Sequence, residues 1–218
     1  VLVTTLLWAA FAVFSVLDWW AIARGVRSVE VIAKPGAMVA LIGVVLTSGV
    51  LTSAGGAILL VALILCLAGD VLLLGDSEPR FLGGLSAFLL GHIGYAVLFV
   101  HLGLTSSWWG LVALLAVAAV LPLAVRIVRA AAASGGGAAL GGAVTAYIVV
   151  ISAMAVLGAA TGHPWLALGA LVFVASDTIL GFNRFVRELP WGRVGVMVSY
   201  LVAQGMLVHG ALAALAGQ

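Results

Sequence analysis

Charge is the scarcest property of this sequence: Asp, Glu, Lys and Arg make up 7% of its 218 residues, against about 25% in soluble domains. With 65% of the chain hydrophobic, too little polar surface is left to cover a water-facing globule. The same composition excludes a disordered chain. Cysteine is nearly absent. The single one, Cys66, can form no intramolecular disulfide and lies in an apolar run, as a core residue does. Nine Lys/Arg against seven Asp/Glu is too small an excess for a nucleic-acid partner. Short catalytic signatures are missing too. There is no HExxH, no histidine pair at i,i+3 or i,i+4, no GxSxG elbow, no Walker A loop and no glycine-rich dinucleotide fingerprint. No metal and no cofactor are expected.

What the chain has is long apolar runs. A spanning helix needs roughly 20 mostly apolar residues, and that ruler marks eight segments, at about 2–23, 36–53, 56–74, 81–101, 108–129, 138–160, 164–182 and 193–215. Turn chemistry or charge separates them: Lys34-Pro35-Gly36, Ser53 to Gly56, Gly75 to Pro79, Ser134 to Gly137, Gly162-His163-Pro164 and Leu189-Pro190. The first run has no basic leader and is followed by charge, so it reads as a span and not as a signal peptide. No connection is long enough for a water-soluble domain. The expectation is one integral membrane domain over residues 1–218, an all-α bundle of eight transmembrane helices.

The basic residues orient it. Arg24, Arg27 and Lys34 fall between segments one and two, and Arg80 between three and four. Arg126 and Arg129 end segment five, and Arg184, Arg187 and Arg193 lie between seven and eight. Every Lys and Arg thus lies on one side of an eight-span topology. The positive-inside rule makes that side cytoplasmic and puts both termini on the non-cytoplasmic side. The tryptophans fall near segment ends, at headgroup level, and the 28 glycines suit close helix packing. Short loops with this bias fit a bacterial inner membrane.

Ionisable residues inside spans are costly and therefore informative. They are Asp18, Asp70, His92, Asp177 and His209, with Asp76 just beyond the third segment. Asp18, Asp70 and Asp177 lie about four to six residues from the cytoplasmic segment ends, roughly 6–9 Å inward, in one shallow layer. Each can serve as an interhelical hydrogen-bond or salt-bridge anchor, the reading that suits Asp18 best. Around Asp70 and Asp177 the layouts match: Gly69-Asp70 to Asp76, and Ser176-Asp177 to Asn183, each an Asp, an apolar turn and a polar residue six positions on. His92 is deeper, roughly 16 Å into its span, on a stripe with Phe88, Tyr95 and Phe99. Tyr200 and Gln204 share one face of the last segment. The depth of His92 argues against a zinc site shared with Asp70 and Asp177.

Five motifs in order resemble the YhhN-like lysoplasmalogenase family: Lys34-Pro35, Gly69-Asp70-Val71-Leu72-Leu73, Phe81 through His92 to Tyr95, Ser176-Asp177 through Asn183-Arg184-Phe185, and Ser199-Tyr200 to Gln204. The resemblance implies hydrolysis of the vinyl ether bond of lysoplasmalogens to a fatty aldehyde and a glycerophospho-ethanolamine or -choline. That chemistry delivers a proton to carbon and lets water capture an oxocarbenium-like cation, work for two carboxylates in different environments. Asp70 and Asp177 are the expected acid/base pair. Tyr200, Gln204 and Asn183 are expected to orient water or substrate. Lys34, Arg80 or Arg184 is expected to meet the lipid phosphate, Asp76 is counted among the substrate-binding residues, and the alkenyl chain is expected to run deeper past Phe88, His92, Tyr95 and Phe99. The expected partner is a lysophospholipid in the membrane, with the site toward the cytoplasmic leaflet. Membrane carboxylates also mark ion paths, so a small-molecule or proton-coupled transporter is the rival reading. A non-catalytic lipid-binding protein or a different lipid hydrolase is also compatible.

Overall fold

The computed structural model describes residues 2–75 and 77–217. Among these residues all regular structure is helical: α1 (Leu2–Arg24), α2 (Arg27–Thr47), α3 (Ala54–Leu73), α4 (Glu78–Leu102), α5 (Ser107–Ala119), α6 (Leu121–Ala133), α7 (Gly137–Ala160), α8 (Pro164–Phe185) and α9 (Gly192–Ala216), with a short 3-10 turn at Val50–Thr52. Seven of them, α1 to α4 and α7 to α9, are long and apolar enough to cross a bilayer. The pair α5–α6, bent by 50°, makes an eighth when counted as one span.

The bend replaces the straight helix expected over 108–129. Pro122 stands in the first turn of α6. Its nitrogen has no hydrogen to donate back into α5, and its ring suits a helix start but obstructs a helix interior.

The second helix also differs from expectation. It begins at Arg27 and runs through Pro35, whereas the sequence predicts a turn at Lys34-Pro35-Gly36. Its charges are paired within the helix and across to its neighbours: Arg27 with Glu30 at 3.0 Å, Glu30 with Arg193 of α9 at 3.0 Å, and Lys34 with Asp70 of α3 at 3.3 Å. Neighbouring helices thus make polar residues affordable that would otherwise mark a loop. At its other end α2 stops at Thr47, and Gly49, at φ 83°, takes a left-handed conformation open to glycine. The Ser53 hydroxyl then caps α3 by accepting from the Gly56 amide at 3.1 Å.

The helices form a closed ring in the order α1, α2, α3, α4, α7, α8, α9, with α9 returning to α1. The bent pair lies outside it against α7, and α6 also meets α8. Inside the ring Met38, Leu41, Tyr95, Phe99, Phe173 and Leu201 are fully buried. Outside it, large apolar side chains such as Leu2, Trp108 and Leu115 are more than half exposed. An apolar exterior around a packed interior is what a bilayer solvates and water does not. Helices α3 and α4 approach closely: a Cβ at Gly91 would stand 2.8 Å from Cys66 Sγ. Cys66 is buried in this seam, the core role expected of it.

Candidate active site

At one end of the ring the helices part around a cavity of about 490 Å³. Lys34 enters from α2, Asp70 from the end of α3, Phe81 and Phe88 from the start of α4. Asp177, Asn183 and Arg184 come from the end of α8, and Arg193 and Tyr200 from the start of α9. All of these belong to the same end of the bundle, so the cavity is one-ended.

Asp70 is buried and held from two sides. The Tyr200 hydroxyl donates to its Oδ2 at 2.6 Å, and Lys34 Nζ stands 3.3 Å from its Oδ1. Burial of Lys34 itself follows from this pairing, because an ammonium leaves water only for a charged partner. Behind Tyr200 the chain of hydrogen bonds continues. Gln204 Nε2 donates to the Tyr200 oxygen at 3.4 Å, and Gln204 Oε1 accepts from the Tyr95 hydroxyl at 2.5 Å. One turn of α9 separates Tyr200 from Gln204, so a single helical face sets both.

Asp177 is only partly buried, and among the described residues no Lys or Arg pairs with it. Its Oδ2 accepts from the Tyr147 hydroxyl of α7 at 2.6 Å, and His92 Nε2 lies 3.9 Å away. His92 is enclosed by rings, edge-on to Phe173 at 4.6 Å and to Tyr147 at 5.3 Å, and stacked on Phe88 at 6.4 Å. Neither of its ring nitrogens has a hydrogen-bond partner among the described residues. A buried unsatisfied imidazole is costly, which makes its closeness to the Asp177 carboxyl notable. Ser176 fixes the level of Asp177 by donating to the Val196 carbonyl at 3.0 Å, tying α8 to α9.

The mouth is charged. Glu30 is gripped through both oxygens by Arg193, at 3.0 and 3.1 Å, and by Arg27, whose guanidinium also reaches the Leu74 carbonyl. Asn183 accepts from the Leu189 amide at 2.7 Å, pinning the connection to α9. The Arg184 guanidinium lies over the Phe81 ring, 4.7 Å from its centre. Four cations, Arg27, Lys34, Arg184 and Arg193, thus border an opening that leads down to Asp70 and Asp177.

Lys34, Asp70, Asp177, Asn183, Arg184 and Tyr200 therefore line one cavity, as their shared layer and motifs suggest. His92, Tyr95 and Gln204 stand behind its wall. The depth reading for His92 needs correction: it is a neighbour of Asp177, not a residue well below it. Helix α8 continues to Phe185, so Asp177 lies eight residues from its end, roughly 12 Å, deeper than a span ending at 182 implied. Asp76 lies outside the described residues. Asp18 is fully buried with no hydrogen bond to either oxygen and does not line the cavity. Tyr147, Glu30, Arg27 and Arg193 were not singled out as site residues from sequence. For Tyr147 a signal existed, since the chain has three tyrosines, all inside spans, and all three bond into this network. Among the described residues no three His, Cys, Asp or Glu side chains converge to hold a metal ion.

An apolar helical bundle with carboxylate–tyrosine pairs around a one-ended polar cavity defines an integral membrane protein with an intramembrane polar site. The chain belongs to the YhhN family, whose model matches residues 29–211, a stretch that begins after α1 and includes every residue from Lys34 to Gln204. It is similar to lysoplasmalogenase TMEM86B of Sus scrofa, 34% identical over 148 residues that cover 67% of this chain and 59% of that protein. The match thus spans less than two thirds of the relative's length. No solved structure matches the chain.

Proposed function

We propose that this protein is a membrane lysoplasmalogenase that hydrolyses the vinyl ether bond of 1-alkenyl glycerophospholipids by carboxylate acid/base catalysis. The observation that carries this reading is the unequal pair of carboxylates in one cavity. Asp70 has a cation and a tyrosine hydroxyl; Asp177 has a tyrosine hydroxyl and a histidine, and among the described residues no Lys or Arg is paired with it. The name of the similar porcine protein and the family membership support it.

In this reading Asp177 is the general acid. Tyr147 occupies its Oδ2, which leaves Oδ1 to carry the proton. That proton goes to the vinyl carbon remote from the ether oxygen, and the carbon bonded to oxygen becomes an oxocarbenium centre. Asp70, kept as a carboxylate by Lys34, stabilises the cation and takes a proton from the attacking water. Collapse of the hemiacetal breaks its carbon–oxygen bond to glycerol: the proton held by Asp70 goes to the glycerol oxygen, the hemiacetal hydroxyl proton returns to Asp177, and the aldehyde leaves with both carboxyls in their starting states. The net reaction consumes one water. Arg27, Arg184 and Arg193 at the mouth face the lipid phosphate, the charge they match.

The cavity opens to the cytoplasmic leaflet of a bacterial inner membrane, with both termini on the opposite side. The support is the gathering of basic residues at the cavity end. The test is aldehyde release from lysoplasmenyl-ethanolamine by purified protein in detergent, with and without chelator, beside Asp70→Asn. Chelator-resistant release that disappears in the variant is the expected result. Release abolished by chelator, or full activity in folded Asp70→Asn, would sink the mechanism. No release from folded wild type turns the reading to transport or lipid binding.

A further inference from the structure

A second cavity, apolar and of about 100 Å³, adjoins the polar one. Its walls are Val120, Leu121 and Ala124 at the α5–α6 bend, Val144 and Ile148 on α7, and Gly181 on α8. The two cavities share Phe81, Asp177, Leu180 and Arg184. The slot exists because of two local features. The 50° bend carries the start of α6 away from the line of α5, and Gly181 brings no side chain toward Ile127, where a Cβ would come within 3.1 Å. At its outer end Leu121 is 58% exposed, on a surface that meets bilayer hydrocarbon.

We propose that this slot receives the hydrocarbon chain of a single-chain lipid whose headgroup occupies the polar cavity, entering sideways from the bilayer between α6, α7 and α8. The inference rests on the lysolipid reading above. The junction of the slots is where it fits best. A vinyl ether sits where the polar and apolar parts of its lipid meet, and Asp177 sits where the polar and apolar cavities meet. The deeper route expected from sequence is closed. His92, Tyr95 and Phe99 are fully buried and line neither cavity, so a chain on that path would have to open the packed core. The slot is smaller than a long alkenyl chain, so the distal part continues past Leu121 into the membrane.

The experiment uses whole protein in lipid nanodiscs and a saturated 1-O-alkyl lysophosphoethanolamine, which cannot be hydrolysed at a vinyl ether, bearing a diazirine near the middle of its chain. Photolabelling that excess unlabelled lysolipid competes away is expected on α6, α7 and α8 residues of the slot. Competable label in the α4–α9 interior, or no competable label in the slot, overturns the proposal. In parallel, Ala124→Trp and Ile148→Trp should lower kcat/KM for a long-chain substrate about tenfold or more, the loss expected for about two displaced methylenes. A short-chain analogue should be spared, and Val149→Trp, on an outward position 61% exposed, should change nothing. Unchanged long-chain kinetics in both plugged variants also overturns the slot. Competable slot labelling without vinyl ether hydrolysis upholds the slot and removes the proposed reaction. Hydrolysis without slot labelling does the reverse.

Discussion

Tyr200 of α9 donates its hydroxyl proton to Asp70 of α3 at 2.6 Å, joining residues 130 positions apart in the chain. On the other side of the cavity Tyr147 of α7 makes the same bond, at the same length, to Asp177 of α8. The two carboxylates thus have like hydroxyl partners and unlike second partners, Lys34 for Asp70 and His92 for Asp177. The distinct roles assigned to them rest on that difference.

Removing either acid group should end turnover. Asp70→Asn and Asp177→Asn keep the shape of each side chain but cannot exchange a proton, and positioned acid/base groups contribute about 10²–10⁴ in rate. Aldehyde release is expected to fall by that range in both variants while circular dichroism stays close to wild type; thermal melts in detergent should stay close to wild type for Asp177→Asn and drop for Asp70→Asn, which leaves the buried Lys34 without its carboxylate. A folded variant at more than about a tenth of normal rate would remove that carboxylate from the mechanism.

The two tyrosines should differ in weight. A hydrogen bond to an ionised group contributes about 1.5–3 kcal/mol and one between neutral groups about 0.5–1.5 kcal/mol. Tyr200→Phe, which strips the carboxylate of Asp70, is therefore expected to cost more in kcat than Tyr147→Phe. The reverse order in steady-state kinetics would exchange the acid and base assignments.

Lys34 is a stability residue as much as a site residue. Lys34→Met leaves the Asp70 charge buried without its cation, a change that costs about 3–5 kcal/mol when one partner of such a pair is lost. The double variant Lys34→Met with Asp70→Asn should recover most of that loss, because no charge is left stranded. Thermal unfolding in detergent measures both, and a double variant as unstable as the single would show that packing, not charge, is what Lys34 supplies.

The seam between α3 and α4 tolerates no side chain at Gly91. A Cβ there meets Cys66 Sγ at 2.8 Å, so Gly91→Val should force the helices apart at about 1–3 kcal/mol. A lowered melting temperature is expected together with lost activity, since Asp70 and His92 are carried on these two helices. A variant that melts like wild type would mean the seam is looser than the distances say.

Orientation can be read without any activity assay. Cys66 is fully buried and should stay silent toward a membrane-impermeant maleimide in intact cells. A cysteine placed at Thr105, between α4 and α5, should react, and one at Glu188, between α8 and α9, should not. Labelling at Glu188 instead would invert the topology.

Much of this architecture was readable along the chain because apolar length is a one-dimensional property: a run either spans hydrocarbon or it does not. Ionisable residues inside such runs stand out in the same way, which is why Asp70 and Asp177 could be found before any fold was known. Helix ends were less readable. The start of α2 was hidden because Arg27, Glu30 and Lys34 look like loop residues until Arg193 and Asp70, on other helices, are seen to hold them. The break at Val120 had a local cause in Pro122, but a proline inside a span can kink, break or be absorbed, as Pro35 is absorbed in α2. Which outcome occurs depends on the neighbours.

Partnership was decided in three dimensions. That Tyr200 meets Asp70, that Tyr147 meets Asp177, and that His92 turns toward the acid instead of away from it all depend on which helix faces pack together. In a bilayer, hydrophobicity does not choose among those faces, since lipid and leucine solvate a helix alike. Close glycine contacts and buried polar pairs choose instead, and both join residues that the chain itself keeps far apart.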